Sequence, residues 1–80
     1  MVTVRVFGLL SEYGGPRQFA VEAKTVREAL AKAADAGIDK KLLRGALVFV
    51  NDRPVVGAMR LSRGLSEGDE IALLSPSGGG

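Results

Sequence analysis

TVREALAKAADAG, Thr25 to Gly37, is the stretch whose reading decides the fold. Thr25 and Glu28 form a T-x-x-E pattern, in which the threonine oxygen and the glutamate carboxylate satisfy amides that a helix start leaves without partners. Behind it, Val26, Ala29, Leu30, Ala33 and Ala34 fall on one stripe at helical spacing, and Gly37 stands where a left-handed residue stops a helix. The pattern predicts a helix from Val26 that must bury one face against a sheet.

The flanking sequence supplies that sheet. Upstream, Met1 to Phe7 alternates, with Val2, Val4 and Val6 on one side and Thr3, Arg5 and Phe7 on the other, and Gly8 ends the strand. Gly14-Gly15-Pro16 punctuates a turn, and Arg17 to Glu22 alternates again through Phe19 and Val21, so the two segments read as a hairpin. Downstream, Ile38 to Leu43 reads as a short helical turn in which Ile38 and either Leu42 or Leu43 plug the core. Ala46 to Val50 is a strand apolar on both parities, so its inward face is left open by pattern. Asn51-Asp52-Arg53-Pro54 reads as a turn, Val55-Val56 as a short returning strand and Gly57 to Arg63 as irregular. Leu65 to Glu70 is a turn leading into a last strand, Glu70 to Leu74, with Pro76 ending sheet pairing. A hairpin, a crossover helix and a late strand can bring the last strand beside the first in parallel. The expected fold is α+β: a β-grasp, with a mixed four- to five-stranded sheet packed on one main helix over residues 1–74, followed by a flexible tail over residues 75–80.

Eighty residues make one small domain. The composition, 46% hydrophobic and 25% charged, is that of a folded soluble protein. Cysteine and histidine are absent, which removes the thiol nucleophile, the commonest general base and the commonest metal ligand, and with them most side-chain catalysis. The net charge is +2, with the basic residues scattered except for Lys40-Lys41-Arg44, and four aromatics do not make a stacking surface, so no nucleic-acid partner is expected. Apolar runs are far short of a membrane span and no secretory signal is legible, so no membrane partner and a cytoplasmic location are expected. Glu67, Asp69 and Glu70 read as turn formers rather than an acid/base or metal site. Gly14-Gly15 lacks the strand–loop–helix setting of a phosphate cradle.

Three glycines, Gly78, Gly79 and Gly80, close the chain behind Ser75-Pro76-Ser77. Without a Cβ such an end can thread a channel that side chains would block, and its carboxyl carbon is unhindered. Six residues extended at 3.3–3.6 Å each reach about 20 Å, against a radius of gyration of about 12 Å for a globule of this length. The tail can therefore deliver a carboxyl carbon into a deep site on another protein while the body stays docked outside.

Along its whole length the chain resembles the ubiquitin-like sulfur carriers, in particular the small subunit of molybdopterin synthase. The matching features are V-x-V-x-V-F-G at Val2 to Gly8, T-V-x-E-A-L at Thr25 to Leu30, V-N-D at Val50 to Asp52, L-x-E-G-D-E-I at Leu65 to Ile71, and Gly79-Gly80. The tail departs from that family's more apolar, proline-richer lead-in with Ser75-Pro76-Ser77-Gly78. The resemblance implies that the Gly80 carboxylate, backed by Gly79, is adenylated by an E1-like activating enzyme and converted to a thiocarboxylate that donates sulfur in molybdopterin biosynthesis. ATP would be used by that partner, with no cofactor and no metal bound to this chain. The second partner would be the molybdopterin synthase large subunit or another sulfur acceptor. The chain would then be a carrier subunit and not an enzyme by itself.

The alternation also locates a docking surface. Phe7 on the first strand and Leu74 on the last point to the open face if the valines, Ile71 and Leu73 point inward, giving an apolar patch at the root of the tail. The resemblance places partner contacts there too, and carries them into the tail at Pro76 and Gly78. Beside a variant of the carrier that serves thiamine, cysteine or tRNA thiolation, two other readings stay open: a ubiquitin-like modifier joined through Gly80 to target lysines, and a plain interaction module with an incidental tail.

Overall fold

The computed structural model describes residues 1–75. The strands are β1 (Val2–Phe7), β2 (Gln18–Val21), β3 (Leu47–Val50), β4 (Arg53–Val55) and β5 (Glu70–Leu74); the helices are α1 (Val26–Asp35) and α2 (Lys40–Arg44). Short 3-10 turns occupy Gly8–Glu12 and Arg60–Ser62. One five-stranded sheet runs in the order β2-β1-β5-β3-β4, with β1 and β5 parallel and every other pair antiparallel. This is the expected α+β β-grasp, at the upper end of the anticipated strand count. Among the described residues no helix is long and apolar enough to cross a membrane.

α1 begins and ends on the signals in its sequence. Thr25 is extended, and its Oγ1 accepts from the Glu28 N–H at 3.2 Å. Glu28 returns its carboxylate to the Lys24 N–H at 2.6 Å, one residue upstream of the amide that the capping box usually satisfies. The Val26 N–H donates to the Arg63 carbonyl at 3.0 Å, and the Leu65 N–H donates to the Lys24 carbonyl at 2.8 Å, stitching the helix start to the segment before β5. At the other end Gly37 adopts φ +113°, its N–H donates to Ala34 and the Ile38 N–H donates to Ala33. That double closure is a Schellman motif, and it drops Ile38 into the core at 2% exposure.

The core lies between α1 and one face of the sheet. Val4, Val6, Val48, Val50, Ile71 and Leu73 meet Val26, Ala29 and Ala33, with Leu10, Ile38 and Leu43 closing the ends. Of the two candidates in α2, Leu43 is the core residue and Leu42 is only half-buried. β3 turns Val48 and Val50 inward, leaving Leu47 and Phe49 on the open face.

Two segments differ from their sequence reading. The chain between β1 and β2 is no simple hairpin loop, because it includes the Gly8–Glu12 turn, which inserts a fully buried Leu10 under the sheet end. An isolated leucine in a loop has no periodicity by which to be seen. The second difference is the turn at Asn51, which is two residues long. Asn51 and Asp52 both take positive φ, 50° and 69°, the mirror-image geometry that matches strand twist. Arg53 and Pro54 therefore belong to β4 and Val56 lies outside it. Proline is tolerated because β4 is an edge strand.

The side chains of Asn51 and Asp69 hold this hairpin to the start of β5. Asn51 Oδ1 accepts from the Glu70 N–H at 2.9 Å, and Asn51 Nδ2 donates to Asp69 Oδ1 at 3.0 Å. Asp69 Oδ2 accepts from the Ser66 N–H at 2.8 Å. The Ser66 amide first, then the Asn51 amide, hold the Asp69 carboxyl below its ordinary value.

Two outcomes follow from this geometry. Thr25→Ala should lower unfolding free energy by about 1 kcal/mol in urea titration, the usual worth of an N-cap. Because the folded pKa of Asp69 is depressed, its contribution is fully present above the ordinary aspartate value of about 3.9 and is lost as pH falls through the lower folded value. The stability gap between the parent and Asp69→Asn should therefore stay constant near neutrality and close in acid, as read by urea titrations repeated from pH 7 to about pH 2.

Candidate functional site

β1 and β5 run parallel and end together, so the chain leaves β5 beside the point where it left β1. The register there is Phe7 against Leu74, with Leu47 of β3 on the other flank of Leu74. Three apolar side chains thus stand in a row across the open sheet face. Phe7 is 41% exposed and Leu47 45% exposed, while Leu74, between them, is half-buried. Leu9, 45% exposed, continues the patch past the strand end. One row back, Ala72 lies between Arg5 and Phe49.

Arg5 braces the patch. Its guanidinium lies 5.6 Å from the centroid of the Phe7 ring, a cation–π contact of about 0.5–1 kcal/mol at an exposed position. Arg5 Nη1 also donates to Glu70 Oε1 at 3.1 Å. Exposed ion pairs contribute little stability; the consequence here is orientation, since Arg5 is held along the sheet and limits the rotation of Phe7.

Where β5 ends, Ser75 is locked into the body. It is buried, and its Oγ accepts from the Leu9 N–H at 2.8 Å. Gly8 makes that approach possible: its φ is +65°, and a Cβ on it would stand 2.5 Å from Ser75 Oγ. Ser11 Oγ donates to the Gly8 carbonyl at 2.7 Å and closes the turn from the other side. A recess of about 430 Å³, bounded by Leu9, Glu12, Leu74 and Ser75 among others, opens at this point. Whatever follows Ser75 starts from a fixed position next to the apolar row.

The structure therefore brings Phe7 and Leu74 side by side. Pro76, Gly78, Gly79 and Gly80 lie outside the described residues. Leu47 and Leu9 were not singled out from sequence. For Leu47 a signal existed: a strand apolar on both parities must turn apolar residues outward whichever face is inward. Leu9 and the Gly8–Ser75 lock carry no pattern that a linear reading can detect. The three acids of the Leu65–Glu70 turn have separate partners: Glu67 takes the amino-terminal ammonium, Asp69 the Ser66 and Asn51 amides, and Glu70 the Arg5 guanidinium. They do not converge on a common point.

The fold recurs in known proteins. Residues 4–80 match the ThiS family. A chain in the protein–protein complex of subunits 1 and 2 of the molybdopterin-converting factor from Helicobacter pylori 26695 is 30% identical, with 99% of this chain and 97% of that one covered at a TM-score of 0.72. A chain in the Amycolatopsis orientalis BexX/CysO complex is 25% identical, with both chains fully covered and a TM-score of 0.77. SAMP1 from Haloferax volcanii is 25% identical, with 99% and 98% covered and a TM-score of 0.68. No curated protein matches the chain. With the family match running from β1 to the final glycine and the fold shared throughout, the chain belongs to the ThiS family of ubiquitin-like β-grasp sulfur carriers.

Proposed function

We propose that this chain carries sulfur on the carboxyl carbon of Gly80 and donates it in molybdopterin formation. The observation that carries this reading is the fixed exit of the chain at Ser75, beside the Phe7–Leu74–Leu47 row. A partner that docks on the row receives the following residues at a set place and direction. The nearly full-length likeness to a chain of the Helicobacter pylori molybdopterin-converting factor complex supports the choice of pathway.

The chemistry requires two steps, each performed by a partner. A carboxylate is a poor electrophile, so one of its oxygens first attacks the α-phosphorus of ATP on an E1-like activating enzyme, and pyrophosphate leaves. Sulfide, as HS⁻, then attacks the acyl carbon of the adenylate, AMP leaves and the S–H proton is lost to solvent, giving the thiocarboxylate. That form suits a chain without cysteine, which has no side-chain thiol on which to hold sulfur. The acceptor would be the large subunit of molybdopterin synthase, and Gly79, Gly78 and Pro76 would line the path of the tail into both partners. In this reading the chain supplies the transferred group and the docking surface, and its partners supply the catalytic groups.

A second reading has its own support in the likeness to SAMP1, the small archaeal modifier protein 1 of Haloferax volcanii. In it the same activated Gly80 is attacked by a lysine amine, and the product is an isopeptide bond.

Intact and fragment mass spectrometry of the protein isolated from its own cells separates these readings. Replacement of one oxygen by sulfur at Gly80 is the expected result, whereas Gly80 found in isopeptide linkage to other proteins would favour the modifier. Only a free carboxylate would leave the sulfur reading without support. Phe7→Asp should leave the melting temperature within a few degrees, since the ring lies on the open sheet face and outside the core, yet weaken binding to the activating enzyme by about 2 kcal/mol or more, the size expected of an aromatic anchor. Calorimetry of the variant with that enzyme checks it; unfolding of the variant instead would mean that Phe7 is a core residue.

A further inference from the structure

The helical layer carries a second surface, on the side of the molecule away from the open sheet face. α1 buries Val26, Ala29 and Ala33 against the sheet, but a neighbouring stripe at i, i+3, i+4 and i+7 (Arg27, Leu30, Ala31, Ala34) is left on its flank. Beside that stripe lies a groove of about 520 Å³ whose floor is aliphatic, made by Leu30, Ala34, Leu43 and Leu61.

The rim of the groove is uniformly basic. Arg27, Lys40, Arg44 and Arg60 line it, four of the eleven cationic side chains of the chain, and none of its nine carboxylates does. Among the described residues none of the four is in an ion pair. Arg60 is fixed in place, with Nη2 donating to the Arg44 carbonyl at 3.1 Å. Its charge is thereby held at the α2 end of the groove.

We propose that this groove binds an acidic segment of a partner protein, one that places leucine-type side chains on the aliphatic floor and carboxylates against the four cations. Charge complementarity selects the occupant. A polyanion without apolar side chains would leave the floor wet, and a nucleic acid would find no aromatic ring to stack on, since the floor is wholly aliphatic. An apolar segment without acids would leave four cations partly desolvated and unpaired, which opposes binding. Because the groove and the Phe7–Leu74–Leu47 row lie on opposite layers, one partner can hold the helical side while another engages the sheet. The proposal is independent of the chemistry at Gly80.

The test titrates the isotope-labelled full chain with a synthetic capped peptide that repeats Glu-Leu-Leu-Glu, following backbone amide shifts. Saturable shifts confined to the amides of Leu30, Ala34, Leu43 and Leu61 are expected, together with binding weakened about tenfold in the double variant Lys40→Glu/Arg44→Glu, both exposed positions. The spectrum of the variant reports whether its fold is intact. Should it be perturbed, Arg27→Gln must also weaken binding for the proposal to stand. The proposal is overturned by shifts on Phe7, Leu47 and Leu74, by equal affinity for a peptide with lysine in place of glutamate, by tighter binding of an oligouridine on the same amides, or by no saturable shift up to the peptide's solubility limit.

Discussion

The parallel pairing of β1 with β5 is the constraint on which the rest of the molecule depends. The two strands are far apart in sequence yet form the middle of the sheet, with Val4 against Ile71 and Val6 against Leu73. All four side chains are essentially buried. Strands that run the same way cannot be joined by a tight turn, so the intervening chain must cross over, and α1 is the element that covers the sheet as it does so. The same pairing brings the C-terminal ends of β1 and β5 together at one end of the sheet, which sets Phe7, Leu74 and Ser75 side by side. Fold and candidate docking site thus have a single origin.

Much of this was legible in the linear sequence, and the physical reason is periodicity. Val2, Val4 and Val6 alternate because one face of β1 meets α1 and the other meets solvent. Thr25, Glu28 and Gly37 are visible because caps use few residue types. The limits of β5 are legible because Gly68 and Asp69 mark its start and Pro76 follows its end in the sequence. Other parts were illegible for equally physical reasons. Leu10 is buried by a turn and not by a repeating face. Pro54 reads as a turn residue, and only the position of β4 at the sheet edge explains its place in a strand. The capping carboxylate of Glu28 goes to the Lys24 amide, and Val26 is satisfied by Arg63, distant in sequence; neither partner is set by a local pattern.

The candidate site divides in the same way. Alternation alone puts Phe7 and Leu74 on the open face, and the β-grasp order makes them neighbours. Leu47 joins them through the antiparallel register of β3 and β5, which the apolar run at Ala46 to Val50 could not supply. The basic groove lies deeper still, since it joins residues of α1, α2 and the turn at Arg60–Ser62 that share no local motif.

Gly8 and Ser75 behave as one locus although most of the chain separates them. A side chain at position 8 is opposed by Ser75 Oγ at 2.5 Å, whereas the next nearest atom, the Ser75 carbonyl oxygen, is 3.6 Å away, an ordinary contact. Loss of the hydroxyl would therefore make room for a Cβ at position 8, but it would leave the Leu9 N–H without its acceptor. The left-handed backbone at Gly8 would still favour residues such as asparagine over alanine. Sequence drift at these two positions is coupled in one direction: position 8 can take a side chain readily only after Ser75 has lost its hydroxyl, and the compensated pair would release the chain from β5 with one fewer hydrogen bond holding its direction.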